Sequence, residues 1–431
     1  MRRRTALGSS GIVVALVGGL FLSGALLGSP GTKPEKPSPA PAAVDPLLKG
    51  IAAAQLTLAN NPKDFRTWAS LSIGYVQQAK VSGDPSFYGK AEQAAARSLA
   101  LDRKTNYLGY AALAAVRNGR HDFRGAQTAA AQGIKINGYN STLYGALGDA
   151  LTQLGQYAKA AKAIDTMNQL LPGVPAFTRA SYVFELRGDV RSARAALERA
   201  VKDATSPGDV AFSQYYLGEL ELHYAGGAAK ALTHYQAGLA ASPTDATLLA
   251  GRAKAEAALG QTALALADYE KSVQALPAPQ SVLEYAQLLE SLKDPRAKAQ
   301  YDLFRIEERL YGASGVALDT EATLFEADHG SPSKALHYAV LGWKTRPFVE
   351  MADAYAWALH ANHRDAEALA WVNKAFASGW KTSPALFHRG MIELSLGKKR
   401  AARADLSEAL RLDPHFDALK APLARATLAR L

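Results

Sequence analysis

The sequence predicts an all-α fold built as a solenoid of about ten helical hairpins. Two observations carry this: a repeat near 34 residues with glycine and proline at fixed places, and a composition that favours helix over sheet. Of 431 residues, 48% are hydrophobic but only 8% aromatic, alanine is abundant, and β-branched runs are scarce after the first thirty residues. Alanine loses no side-chain entropy in a helix, whereas strands draw on β-branched and aromatic residues. The length suits either two or three compact domains or one elongated array. The repeat selects the array.

One alanine marks each copy: Ala91, Ala126, Ala160, Ala193, Ala231, Ala265, Ala299, Ala335, Ala368 and Ala402. Alanine is too common to prove a repeat, so other residue types must test the phase. Twelve residues after the mark, proline stands at Pro172, Pro243, Pro277, Pro347 and Pro414, where twenty prolines in 431 positions would place about half of one by chance. Five residues before it, glycine stands at Gly155, Gly188, Gly226, Gly260, Gly330 and Gly397. Glycine permits the left-handed turn between the two helices of a hairpin, and proline stops the second helix. The small residue at the mark lets the helices approach, and no hairpin covers its apolar faces without a neighbour.

Residues 1–28 read as an address. Arg2, Arg3 and Arg4 precede an almost uncharged run over residues 11–28. That run is longer than a usual cleaved signal core and just reaches bilayer-spanning length, so a signal peptide and a transmembrane anchor are both open. The arginines would hold the N-terminus in the cytoplasm and send the body outward. The expected location is a membrane-anchored chain with an extracytoplasmic body, or a secreted one if the signal is cleaved. Residues 29–46, rich in Pro, Ala and Ser, read as a semi-stiff linker.

The formal charge of +10 is spread, with Lys and Arg alternating with acids along the helices, which speaks against a nucleic-acid partner. Without cysteine, disulfides, thiolate metal sites and a lipid-modified cysteine are excluded. No phosphate loop, dinucleotide fingerprint, HExxH, GxSxG or EF-hand loop occurs. His360, His363 and Glu367 come nearest to metal-ligand spacing, but His363 falls at a turn position, which would separate the three. His223 and His234 fall on opposite helices of one hairpin. No catalytic residue, metal or small-molecule cofactor is expected.

Trp68, Leu71, Ser72 and Tyr75, and again Tyr144, Leu147, Gly148 and Leu151, resemble the opening of the tetratricopeptide repeat. Ala160, Ile164 and Pro172, and Ala265, Tyr269 and Pro277, resemble its closing half. The resemblance covers residues 47–415 as a right-handed solenoid. Residues 416–431 read as a helix capping its last apolar face. The copies around residues 280–345 are degenerate, and Arg103, Tyr311 and Trp380 stand where proline is expected.

The resemblance implies a concave groove lined by the first helix of each pair. Its candidate residues are Asp149, Tyr182, Glu185, Tyr215, Glu219, His223, Lys254, Asp353, Trp357, His360, Phe387 and Met391. Tyr, Trp and Met commonly anchor binding surfaces. Some proteins of this family clamp a partner's terminal carboxylate with Lys, Asn and Arg, but the matching places here include Ala69, Ile73, Ala111 and Ala115. The expectation is a non-catalytic scaffold or adaptor for a protein or peptide, membrane-attached through its N-terminal helix. The alternative is a cell-envelope carbohydrate-processing enzyme or factor using groove aromatics and a carboxylate pair such as Glu185 and Glu219.

Overall fold

The computed structural model describes residues 46–225 and 227–431. The expected signal or anchor and almost all of the linker lie outside the described residues. Among those described, no helix is long and apolar enough to cross a membrane.

One helix, α1 (Pro46–Asn60), precedes ten hairpins. The first four pair α2 (Phe65–Ser82) with α3 (Ser86–Leu101), α4 (Tyr107–Gly119) with α5 (Phe123–Ile136), α6 (Ser141–Gln153) with α7 (Tyr157–Leu170), and α8 (Val174–Glu185) with α9 (Val190–Asp203). The next three pair α10 (Pro207–Ala225) with α11 (Ala228–Ala241), α12 (Ala246–Ala258) with α13 (Thr262–Ala275), and α14 (Pro279–Ser291) with α15 (Arg296–Ala313). The last three pair α16 (Asp319–His329) with α17 (Pro332–Thr345), α18 (Val349–Ala361) with α19 (Asp365–Phe376), and α20 (Ser383–Ser395) with α21 (Lys399–Leu412). A short helix, α22 (Lys420–Leu428), packs on α21. The degenerate stretch over residues 280–345 therefore forms ordinary hairpins.

Local chemistry accounts for the boundaries. Asp64, Asn106, Asp122, Asn140, Asp189 and Asp245 each accept a backbone N–H at a helix start, satisfying donors that the helix cannot. Among the described residues, eight of the ten hairpin turns use a left-handed residue. Gly155, Gly188, Gly260 and Gly397 supply it as expected, with φ between 67° and 75°. His121, Lys293 and His363 adopt the same geometry at φ of 60°, 58° and 57°. The turn is thus imposed by hairpin packing even where the residue resists it. Gly330 departs, with φ −128°.

Nine of the ten marker alanines are sealed between helices, at 0–1% exposure. Ala299 is the exception and is exposed. The buried face of α15 runs instead through Ala297, Phe304, Glu307 and Tyr311, so the expected phase is wrong there. This helix starts just after Pro295 and spans 18 residues, and the large Phe304 ring replaces the small-residue contact as its packing centre.

The superhelix winds tightly enough for successive turns to touch. Arg346 Nε donates to Gln153 Oε1 over 2.6 Å, and the Val349 amide donates to the Tyr157 hydroxyl over 2.8 Å. His121 Nδ1 meets the Ala317 carbonyl at 3.0 Å. These partners are 192–196 residues apart, so between five and six hairpins complete one turn. The hairpin turns at Gly155 and Gly188 lie directly on the backbone at Pro347 and Gly379. Stacked turns deepen the expected concave groove into a partly enclosed cavity.

Candidate binding cavity

The first helices of successive hairpins face inward, and α8, α10, α12, α14, α16, α18 and α20 together surround a cavity of about 580 Å³. The connection from α21 to α22 brings Phe416, Asp417 and Lys420 to its wall. That volume lies within the range of pockets that enclose a small molecule or a side chain of a partner.

Seven of the twelve expected groove residues line it: Tyr182, Glu185, Tyr215, Glu219, His223, Lys254 and Asp353. The other five are placed elsewhere. Asp149 is buried against Arg179, whose Nε and Nη2 both donate over 2.9 Å. Trp357 stacks on His388 at 4.3 Å and donates its indole N–H to Asp328 over 2.7 Å. His360 is 2.5 Å from Asp365, Phe387 is fully buried, and Met391 packs on the same core. The cavity wall is built from α8 and α10 along most of their length, but only from the N-terminal turns of α18 and α20. One repeat position therefore cannot point inward in every copy, because the helices incline to the superhelix axis.

Sequence reasoning passed over Glu284, Glu321, Asp328, Glu350, His388 and Lys420, all of which line the cavity. A signal existed for some. Glu321, Leu324 and Asp328 follow the i, i+3, i+7 pattern of a single face, and Glu350 and Asp353 are the acids of an otherwise apolar α18. Trp380, standing where proline was expected, is buried and lines the wall.

One side of the cavity is electrically balanced. Lys254 Nζ lies 3.2 Å from Glu219 Oε2 and 3.1 Å from Glu284 Oε1. Burial alone would raise the Glu219 carboxyl, but Lys254, His223 at 3.2 Å and the Tyr235 hydroxyl at 2.5 Å outweigh it and hold it well below the usual carboxylate range. Burial would likewise lower Lys254, yet Glu219 and Glu284 keep it firmly protonated. Lys420 Nζ is 2.7 Å from Asp328.

Glu185 and Glu350 lack such a balance. Burial pushes Glu185 up to about 7, although Ser181 donates to it over 3.3 Å. Burial also pushes Glu350 up to about 7, with the Tyr182 hydroxyl 3.1 Å away and the Arg346 charge opposing the shift. The metal candidates of the sequence are placed outside the wall: Glu367 pairs with Arg364 at 2.7 Å, and His363 sits exposed in its turn. His223 and His234 contact Glu219 and Gln214 respectively.

Residues 383–416 match the family model described as tetratricopeptide repeat. Helices α20 and α21 match that repeat. The other nine hairpins share its helix–turn–helix form and stack as a tetratricopeptide-like solenoid. Among curated proteins, none matches this chain. Solved structures that resemble it include a tetratricopeptide repeat protein from Parabacteroides merdae, 21% identical, covering 59% of this chain and 97% of that one with TM-score 0.35. Yeast Tom70 is 13% identical, covering 89% of this chain and 92% of its own, with TM-score 0.34. A human IFIT1 dimer with PPP-AAAA is 14% identical, covering 78% of each chain, with TM-score 0.47.

Proposed function

We propose that this chain is a non-catalytic scaffold that holds a segment of another protein in the cavity formed by α8 to α20, on the outer side of a membrane. The observation carrying the first part is the partly enclosed, aromatic and polar space built by the inner helices of seven consecutive hairpins. Rigid aromatic rings such as Tyr215, Tyr216 and Trp380 offer contact area at low entropic cost, and the carboxylates fix orientation. The outer location and membrane attachment rest on Arg2, Arg3, Arg4 and the apolar run after them.

Two measurements test this reading. A photo-crosslinking residue at Gln287, on the cavity wall, should trap a defined peptide of a partner in living cells, while the same residue at exposed Thr128 should not. Equal capture at both positions would overturn the cavity as the holding site. The natural absence of cysteine allows Thr128→Cys to be labelled without background. Labelling by a membrane-impermeant maleimide in intact cells is expected, and protection until lysis would overturn the outer location.

The carbohydrate-processing alternative has one observation in its favour: Glu185 is raised toward neutrality while Glu219 stays ionised, the division between an acid and a base. Against it, both Glu219 oxygens are occupied by Tyr235, His223 and Lys254. A glycan-cleaving activity abolished by Glu185→Gln would reverse the preference.

A further inference from the structure

We propose that the cavity is a receptor for an alkylammonium group, either the side chain of a lysine on a bound segment or a free aliphatic polyamine. The inference deepens the reading of this cavity as the binding site, but it does not require that the ligand be a protein.

The first observation is the charge count of the wall. Nine carboxylates line the cavity, against Lys254, Lys420 and three histidines. Most of the nine have a partner. Glu219 and Glu284 share Lys254, Asp328 holds Lys420, and Asp353 accepts from His388 Nδ1 at 3.0 Å. Asp245 and Asp417 accept backbone N–H groups at the starts of α12 and α22. Among the described residues, Glu185, Glu321 and Glu350 have no Lys or Arg in ion-pair contact. Their carboxylates act on one another: Glu350 opposes ionisation of Glu185, and Glu321 opposes ionisation of Glu350.

The second observation is independent of that count. Glu321 is 8% exposed, lines the cavity, and has no hydrogen-bond or ion-pair partner among the described residues. Its carboxylate faces a space large enough for a donor to enter and pair with it. His388, 1% exposed and also on the wall, has its Nδ1 on Asp353 and its Nε2 unpartnered. Nε2 therefore keeps hydrogen-bonding capacity for a group that enters the cavity. The Glu321 carboxylate asks for an N–H donor, and the unpartnered imidazole nitrogen lies on the same wall.

The form of the cation follows from the spacing and the surroundings. No group of three or more His, Asp or Glu among the described residues is arranged to hold a metal ion. Acceptors spread over α8, α16, α18 and α20 suit a donor that arrives on an apolar stem. Tyr216, Phe212 and Leu324 supply apolar wall for methylenes, and aromatic faces attract ammonium groups. Cation entry would favour the ionised forms of Glu185 and Glu350, so binding should release protons near neutral pH and tighten as pH rises through about 7. The positive fields opposing such entry come from Arg346 beside Glu350, His223 beside Glu185, and Lys254 beyond His223.

Calorimetry on the purified full chain tests the inference with four probes: spermidine, 1,6-hexanediol, a short peptide with one central lysine, and the same peptide with norleucine. Saturable binding of spermidine or of the lysine peptide is expected, tighter at pH 8 than at pH 6. Glu321→Gln should weaken that binding about tenfold or more, the effect of removing one charge-assisted hydrogen bond. Exposed Asp165→Asn should not change it. Glu350→Gln provides a second removal should Glu321→Gln fold poorly by circular dichroism. Spermidine binding alone assigns a free polyamine and overturns the protein-holding reading while leaving this inference intact. Equal binding of the lysine and norleucine peptides, unaffected by either Gln variant, overturns the inference and leaves the protein-holding reading standing. Hexanediol binding as tightly as spermidine also overturns it.

Discussion

Lys254 Nζ lies 3.2 Å from Glu219 Oε2 on the neighbouring helix α10, and the same nitrogen reaches Glu284 on α14 at 3.1 Å. One charge thereby ties three consecutive hairpins along the inner face. The three side chains are between 10% and 20% exposed, so the pairing operates with little solvent screening. Lys254→Met should lower stability by about 3 kcal/mol, because it leaves two buried carboxylates facing each other. Adding Glu219→Gln should recover part of the loss. Urea unfolding followed by circular dichroism measures both.

The contact between stacked turns predicts a graded response at glycine. A Cβ at Gly155 would sit 2.4 Å from the Pro347 carbonyl oxygen, and one at Gly188 2.7 Å from that of Gly379. Gly260 has nearly the same left-handed backbone but open space around it. Gly260→Ala should cost about 1 kcal/mol from backbone strain alone. Gly155→Ala and Gly188→Ala should cost more and also enlarge the radius of gyration in small-angle X-ray scattering, since the turns must separate.

Three hairpin turns hold a left-handed residue with a side chain. His363 is exposed at φ 57°, and none of its atoms hydrogen-bonds through the ring. His363→Gly should raise stability by about 1 kcal/mol, the cost of placing an L-residue there. A thermal melt that shows no gain, or a loss, would mean that the turn is not strained.

The raised carboxyl of Glu185 fixes the direction of a pH effect. Its folded value of about 7 lies above the ordinary 4.5, so ionisation works against the fold. Stability from this group is fully present below about pH 4.5 and is lost as pH rises through 7. Glu185→Gln, which cannot ionise, should melt above the unsubstituted chain at pH 8 and level with it at pH 4. The difference between the two melting curves across pH isolates this one group.

Much of the site was legible in the repeat phase, and the errors follow the geometry. Tyr182, Glu185, Tyr215, Glu219 and His223 line the cavity because α8 and α10 run along it. Trp357 and Met391 occupy equivalent repeat positions on α18 and α20 but pack against the core, since only the first turns of those helices reach the space. The alanine phase failed at α15 for a related reason. Alanine is frequent enough that Ala299 fits a 34-residue spacing by accident, while Phe304 carries the packing.

Periodicity alone determined that this chain is a series of helical hairpins, because glycine turns, proline stops and apolar faces are local properties that recur with the unit. The tertiary structure decided how tightly those hairpins wind. That quantity depends on small rotations summed over five to six units, and on contacts such as Arg346 with Gln153 that lie 193 residues apart. From the winding came the closure of the groove, and from closure came the burial that sets apart the balanced Lys254 cluster from the unpaired Glu321.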